Sequence, residues 1–175
     1  MSFVLRSALI VATLTASGCA SFWAEPATPL LDAAWRGDVP AIRQLVHDGA
    51  NVNAGDDMGA TPLYWAARGG HPLGLHRCQG ETAGRREVIA ALIDLGANAN
   101  SQDRRPQGVG RSSGWTPLFE ALHHRQFMSA IVLLEKGADP NIRSDQGMSA
   151  MDIALAEGAP KDLLDLMVAK GYRAR

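Results

Sequence analysis

The sequence predicts an all-α protein in which pairs of short helices stack on one another along the chain. Within its 175 residues, Thr-Pro-Leu begins at Thr28, Thr61 and Thr116, and a related segment begins at Ser149. The first two and the last two of these starts are each 33 residues apart. Each start is followed by two apolar segments at helical spacing, which indicates a helix pair. One pair cannot bury its own apolar face, so neighbouring pairs must cover it.

The first helix of each unit has recognisable start and stop signals. The threonine hydroxyl is expected to cap free backbone amides, and the proline that follows suits the first helical turn. Alanine pairs such as Ala33-Ala34 put small side chains where two helices pack closely. Gly37 and Gly70 are predicted to end the first helix of units one and two.

The second helix of each unit is predicted from an isoleucine and leucine stripe that ends in glycine. These segments begin at Ala41, Val88 and Ala130. Glycine tolerates the left-handed conformation that closes a helix, and a polar turn follows. The final unit ends in a truncated version of this pattern. The glycines predicted to end these helices are Gly49, Gly96 and Gly137.

The Thr-Pro-Leu, Ala-Ala and Gly-Ala-x-x-Asn elements recur in this order from residue 28 to about residue 173, and they resemble the ankyrin repeat family. The resemblance implies an ankyrin-repeat solenoid, an L-shaped stack of helix–turn–helix pairs with projecting turns. It divides the domain, residues 28–175, into repeats at 28–60, 61–115, 116–148 and 149–175, of which the last is degenerate.

Repeat two contains two predicted insertions. Thr61 and Thr116 are 55 residues apart, 22 more than the 33-residue period. Fourteen of these extra residues fall between His71 and Glu87, and eight between Asn100 and Thr116. We therefore expect inserted loops at 72–86 and 104–113.

The first insertion contains His71, His76 and Cys78, which could supply metal ligands. Their spacing matches no zinc pattern, however, and the ankyrin resemblance identifies His71 as the family's Gly-His histidine, whose imidazole usually bonds nearby backbone. We therefore predict no metal site. Cys78 is expected to be a buried thiol, a free reactive thiol or half of an intermolecular bridge; a bridge to Cys19 is possible if Cys19 carries no lipid.

The second insertion, from Asp103 to Gly114, has three arginines and no acidic residue after Asp103. The ankyrin resemblance places it in a turn that projects toward the binding face. It is either a solvated loop or an arm that contacts an acidic partner surface or a phosphate-bearing ligand.

The N-terminus has the pattern of a bacterial export signal. Residues 1–18 combine Arg6 with a short apolar run and small residues, and Cys19 follows Ala-Ser-Gly. This resembles the lipobox of bacterial lipoproteins, although alanine at position 16 departs from the usual leucine. The resemblance implies lipidation (palmitate) at Cys19, a linker over 19–27, and an anchor on the periplasmic side of the outer membrane. The alternatives are an ordinary cleavable signal with a chance cysteine, or an uncleaved anchor.

Composition and motifs argue against several function classes. The net charge of −1 and the absence of a basic tract argue against nucleic-acid binding. The chain has no nucleophile elbow, phosphate loop or His-Glu-x-x-His motif, so we predict neither an enzyme nor a cofactor. A monomer is expected.

The ankyrin resemblance implies that a partner protein binds to the turn tips and to the exposed face of each repeat's first helix. Trp35, Trp65 and Trp115 are predicted to line a groove there, since tryptophan is frequent at interface hot spots. The alternative for each tryptophan is local packing between turns. The adjacent histidines at 123 and 124 are expected to point about 100° apart and not to form one site. The predicted partner-binding residues are Trp35, Arg36, Asp57, Met58, Trp65, Arg68, Trp115, His123, His124, Asp145, Gln146 and Met148.

These features favour a protein-interaction module tethered to the cell envelope. Its sharpest form is an immunity or inhibitor protein that covers the active site of a secreted toxin or effector enzyme in the periplasm. A second hypothesis is a periplasmic scaffold or regulator of an envelope enzyme, for example in oxidant defence. A third is a metal-binding protein or enzyme that uses the histidine and cysteine insertion.

Overall fold

The computed structural model describes residues 28–69, 83–104 and 113–173, and these ranges form an all-α fold. They contain eight helices and no β-strand. The predicted fold class, an ankyrin-type stack of helix pairs, is confirmed. The helices are α1 (Pro29–Arg36), α2 (Val39–His47), α3 (Pro62–Arg68), α4 (Ala83–Asp94), α5 (Pro117–His123), α6 (Phe127–Glu135), α7 (Ala150–Ala156) and α8 (Lys161–Ala169).

The helices form two rows. The first helices of the four pairs, α1, α3, α5 and α7, pack successively on one another and form the inner row. The second helices, α2, α4, α6 and α8, pack in the same way and form the outer row. Within each pair the two helices also contact each other. Each pair is therefore covered by its neighbours, as the repeat pattern predicts.

Hydroxyl caps start every inner helix, as predicted for the three threonines. The side chain of Thr28, Thr61, Thr116 or Ser149 accepts a hydrogen bond from the backbone amide three residues later. Proline follows the three threonines at the first helical position, where no amide hydrogen bond is lost. At Ser149 the Asp152 carboxylate reaches back to the Ser149 amide and completes a capping box.

An asparagine ladder connects each repeat to the next. The side-chain amide of Asn53 donates to the Gly96 carbonyl at 3.0 Å, and its side-chain oxygen accepts from the Asn98 amide at 2.7 Å. Asn100 makes the same two bonds to Gly137 and Asp139. Asn141 repeats them on the Gly171 carbonyl and the Arg173 amide. The terminal asparagine of the Gly-Ala-x-x-Asn element therefore joins neighbouring repeats.

The first insertion is partly helical, which corrects the prediction of a loop over 72–86. Helix α4 begins at Ala83, five residues before the predicted Val88. In its added turn, the Arg85 guanidinium donates to the Ala66 carbonyl at 3.1 Å, near the end of α3. A cation there stabilises the negative end of the helix dipole. Helix α3 itself ends at Arg68, with Gly69 at φ 71°, and the predicted stop at Gly70 lies outside the described residues.

Three projecting turns, here called fingers 1 to 3, join successive repeats. A backbone hydrogen bond closes each finger, from Asp56 to Ala60, Asp103 to Trp115, and Ser144 to Met148. The first and third closures span four residues and the second spans twelve. The second closure is therefore eight residues longer than the others, as the spacing predicts, and residues 105–112 within it lie outside the described residues.

Several predicted features lie outside the described residues. They include Cys19, His71, His76, Cys78, the export signal and the arginines at 105 and 111. Across the described ranges, the longest helix is α4, and none is both long and apolar enough to cross a membrane.

Candidate partner-binding face

The predicted partner-binding residues lie on the inner-row helices, at their ends and on the fingers, which together we call the inner face. Five of them are exposed: Arg36, Asp57, His123, Asp145 and Gln146. Another five are half-buried: Trp35, Met58, Arg68, His124 and Met148.

Trp65 and Trp115 are buried, so the predicted groove lined by Trp35, Trp65 and Trp115 is wrong. Their exposures are 5% and 3%. The Trp65 indole donates to the Asp56 carboxylate at 3.1 Å, within finger 1. The Trp115 ring packs 5.9 Å from the ring of Phe119. Both indoles instead pack locally, which was the alternative prediction. Of the three tryptophans, only Trp35 is partly exposed to solvent.

Asp103 is the structural anchor of finger 2. Its carboxylate, in a residue that is 2% exposed, accepts from the Trp115 amide at 2.8 Å and from the Tyr64 hydroxyl at 3.3 Å. Asp56 has the corresponding role in finger 1, where its carboxylate accepts from the amides of Met58 and Ala60. The enlarged finger therefore retains the closure of an ordinary one.

Backbone hydrogen bonds hold the fingers side by side. The Arg104 amide donates to the Met58 carbonyl at 2.7 Å, and the Asp145 amide donates to the Ser113 carbonyl at 3.1 Å. Gly114 permits the second approach, because a Cβ at this position would lie 2.8 Å from a carboxylate oxygen of Asp145. The described parts of the fingers are thus fixed relative to one another, which suits a preformed binding surface.

A buried charge network links α3 and α5. Glu120 has no exposed surface, and its carboxylate lies 3.7 Å from the Arg68 guanidinium and 3.2 Å from Nε2 of His124. The Arg68 guanidinium also lies 5.3 Å from the centroid of the Trp65 ring, where a cation is attracted to the aromatic face. Since removing Arg68 would take the partner cation away from a buried carboxylate, the ion pair fixes the Arg68 side chain at the inner face.

The rings of the two adjacent histidines, His123 and His124, contact each other. Their ring centroids are 5.2 Å apart in an edge-to-face arrangement. His123 also faces Glu157 of the last repeat at 3.3 Å, and its ring meets Trp115 edge-on. His124 lies in the turn after α5, where its ring meets that of His123, and whether the two histidines form one site stays a prediction. Within the described ranges, no group of three or more histidine, cysteine or acidic side chains has metal-binding geometry.

Sequence reasoning missed two residues at this face, Glu120 and Arg125. Glu120 occupies the helix position held by Asp32, Trp65 and Ile153 in the other repeats. Because these side chains differ in polarity, comparing the repeats did not predict that a carboxylate would be buried here. Arg125 has a positive φ of 57° at a position where repeat one has glycine. Aligning the glycines of the repeats could have identified it.

The chain belongs to the ankyrin repeat family. The family model described as "Ankyrin repeat" matches residues 27–57, 58–104 and 113–145. The last helix pair, α7 and α8, lies beyond these matches but packs on α5 and α6 as the earlier pairs pack on one another. Ankyrin repeats indicate a module for protein–protein interaction, a fold that is generally a non-catalytic binding scaffold.

Relatives with this fold come from distant organisms. The chain is 32% identical over 123 residues to "Probable 26S proteasome regulatory subunit p28" of Saccharomyces cerevisiae, which covers 69% of this chain and 44% of that protein. It is 33% identical over 125 residues to "Ankyrin repeat and SAM domain-containing protein 6" of Rattus norvegicus, covering 71% of this chain and 12% of that protein. The chain therefore spans less than half the length of these relatives.

Proposed function

We propose that this chain is a cell-envelope lipoprotein that neutralises a secreted toxin or effector enzyme by binding it with the inner face. The N-terminal signal pattern and Cys19 support export and a lipid tether. Binding rather than catalysis is favoured by the ankyrin fold.

The observation that carries the binding proposal is the chemistry of the inner face. The stack presents Arg36, His123 and the finger carboxylates to solvent, with Trp35 half-buried among them. Arginine and tryptophan are enriched where protein interfaces gain most of their binding energy. The hydrogen-bonded fingers and the Glu120 network hold this surface in place before a partner arrives, which reduces the entropic cost of association.

Photo-cross-linking in the producing bacterium tests the face. A benzoylphenylalanine residue is placed at position 36 or 123 on the inner face, and at Arg43, which is exposed on outer helix α2, as the matched control. We expect one partner to be captured from positions 36 and 123 and none from position 43. Capture from position 43 alone would place the interface on the outer row and contradict the proposal.

The tether and the neutralising role have separate tests. Radiolabelled palmitate should enter the wild-type chain, and Cys19→Ser should abolish labelling and release the chain from the membrane fraction. The cross-linked partner, identified by mass spectrometry, should lose its enzymatic activity in proportion to added chain. A partner that keeps full activity in the complex would instead favour the scaffold hypothesis.

A further inference from the structure

In the described ranges, five helices end in a turn with the same hydrogen-bond pattern and with glycine at the same position of the turn. In each, a left-handed residue donates its amide to the carbonyl three positions back, and the next amide donates to the carbonyl five positions before it. This is the hydrogen-bond pattern of the Schellman motif, which favours glycine because it has no Cβ to clash. The glycines are Gly49, Gly96, Gly137, Gly158 and Gly171.

A sixth turn, between α5 and α6, departs from this rule. Arg125 has φ 57° and donates to the Leu122 carbonyl, while the Gln126 amide donates to the Ala121 carbonyl. Arg125 is the only residue other than glycine with a positive φ in the ranges that the structure describes. Its side chain is exposed, so it gains no burial that would offset the strained backbone.

Two further unfavourable features lie in the same short segment. Glu120 places a carboxylate in the core, where its charge is faced by the Arg68 guanidinium at 3.7 Å. The side-chain oxygen of Gln126 is buried, and no described residue donates a hydrogen bond to it. Local departures of this kind are expected mainly where function opposes stability. Their concentration between residues 120 and 126 singles out the α5–α6 turn.

The solvent-facing groups of this turn define the chemistry that it would bind. Arg125 is exposed, and among the described residues no carboxylate pairs with it. The side chains of His123 and His124 are 42% and 31% exposed, but Nδ1 of His123 faces Glu157 and Nε2 of His124 is buried against Glu120. Glu120 and Glu157 already face Arg68 and the two imidazoles, so the uncompensated group is the Arg125 guanidinium. A guanidinium presents paired N–H donors that match a carboxylate.

We propose that the α5–α6 turn, with Arg125 at its centre, binds a carboxylate-rich segment of the partner protein. The inference rests on the proposed binding function and adds the location and the chemistry of one contact. The turn lies one helix length from the fingers, since α5 starts directly after finger 2 and ends at His123. It therefore extends the inner face away from the finger tips.

Fluorescence anisotropy with a labelled hexaglutamate peptide and the full chain at low ionic strength tests the contact. We expect Arg125→Gly to weaken binding about fivefold, the upper range for one exposed ion pair. Arg125→Lys should weaken binding less than Arg125→Gly does, because it keeps the charge but not the paired N–H donors. Arg43→Ala, which removes an exposed arginine of the outer row, should leave binding unchanged. Equal binding by Arg125→Gly and wild type, or an equal loss in Arg43→Ala, would overturn the proposal.

Two further measurements separate the alternatives. Inorganic phosphate that displaces the peptide at millimolar concentration would assign the turn to a phosphate-bearing ligand and contradict the carboxylate proposal. Arg125→Gly should raise the thermal midpoint by about 2 °C, because it relieves the left-handed strain; a lower midpoint would refute the strain argument. If peptide binding depends on Arg125 but the inner face cross-links to no partner, the proposed function fails while the anion contact remains.

Discussion

Replacement of Asp103 by alanine should destabilise the whole stack, although the residue lies at the base of a loop. Its carboxylate is buried and accepts from the Trp115 amide at 2.8 Å and the Tyr64 hydroxyl at 3.3 Å. In Asp103→Ala both donors stay buried without this acceptor, and each such loss costs about 1 to 3 kcal/mol. Because the Tyr64 bond is long, we expect roughly 3 kcal/mol in total.

Urea unfolding of the full chain, followed by circular dichroism, measures this loss. For a protein of this size a loss of roughly 3 kcal/mol corresponds to a fall of about 6 to 12 °C in thermal midpoint. Tyr64→Phe removes only the longer bond and should cost about 1 kcal/mol. Asp57→Ala, an exposed aspartate in finger 1, is the matched control and should change stability by less than about 0.5 kcal/mol.

A double-mutant cycle isolates the bond between the two side chains. Asp103→Ala should cost about 1 kcal/mol less in the Tyr64→Phe background, because the hydroxyl that it would leave without this acceptor is already absent. If Asp103→Ala alone lowered the free energy of unfolding by less than about 1 kcal/mol, or if its coupling energy with Tyr64→Phe were zero, the view that this carboxylate anchors finger 2 would be refuted.

Three further predictions concern the repeats. Asn100→Ala removes both bonds to the next repeat; it should cost about 1 to 2 kcal/mol in urea unfolding, and an unchanged midpoint would contradict the ladder. Gly114→Ala should lower the thermal midpoint more than Gly137→Ala, because both glycines have positive φ but only the first would bring a Cβ within 3.0 Å of another finger; equal losses would exclude the clash. Hydrogen bonds from the Ser149 amide and hydroxyl lower the pKa of Asp152, so their stabilisation is present above the unfolded pKa of about 4 and is lost as the pH falls through the folded value. Ser149→Ala keeps the amide bond and removes only the hydroxyl, so it should raise the Asp152 pKa part of the way in an NMR titration; an unshifted value would exclude the hydroxyl as a cause.

The repeated features of the fold were predictable because each one has a local cause. Threonine followed by proline specifies a helix start at Thr28, Thr61 and Thr116, and a single sequence shows it three times. The eight extra residues of finger 2 follow from spacing alone, since the hydrogen-bonded closure fixes where a normal finger begins and ends. In a repeat protein, corresponding positions can be compared between repeats of one sequence, which is not possible in a domain without repeats.

The exposure of individual side chains was not predictable in the same way. The position of Trp115 beside Thr116 is clear from the sequence, but its burial depends on the ring packing against Phe119 and on the closure made by Asp103. The extra turn of helix α4 contains Arg85, which donates a hydrogen bond to a carbonyl near the end of α3. Such contacts arise from tertiary packing, which overrides the local pattern.

Departures from the repeat are the most informative part of this sequence. Arg125 stands where five other turns with the same hydrogen-bond pattern have glycine, and Glu120 puts a charge where two other repeats bury a tryptophan or an isoleucine. A stack whose stability is nearly a sum over repeats and their interfaces can accept one locally unfavourable segment, because the remaining interfaces still hold it together. The repeats that follow the pattern thus supply the stability, and the α5–α6 turn is free to differ. For that reason we expect the single substitution Arg125→Gly to raise the stability of the fold and to weaken binding of the acidic peptide. A purely structural role for Arg125 would not produce both effects.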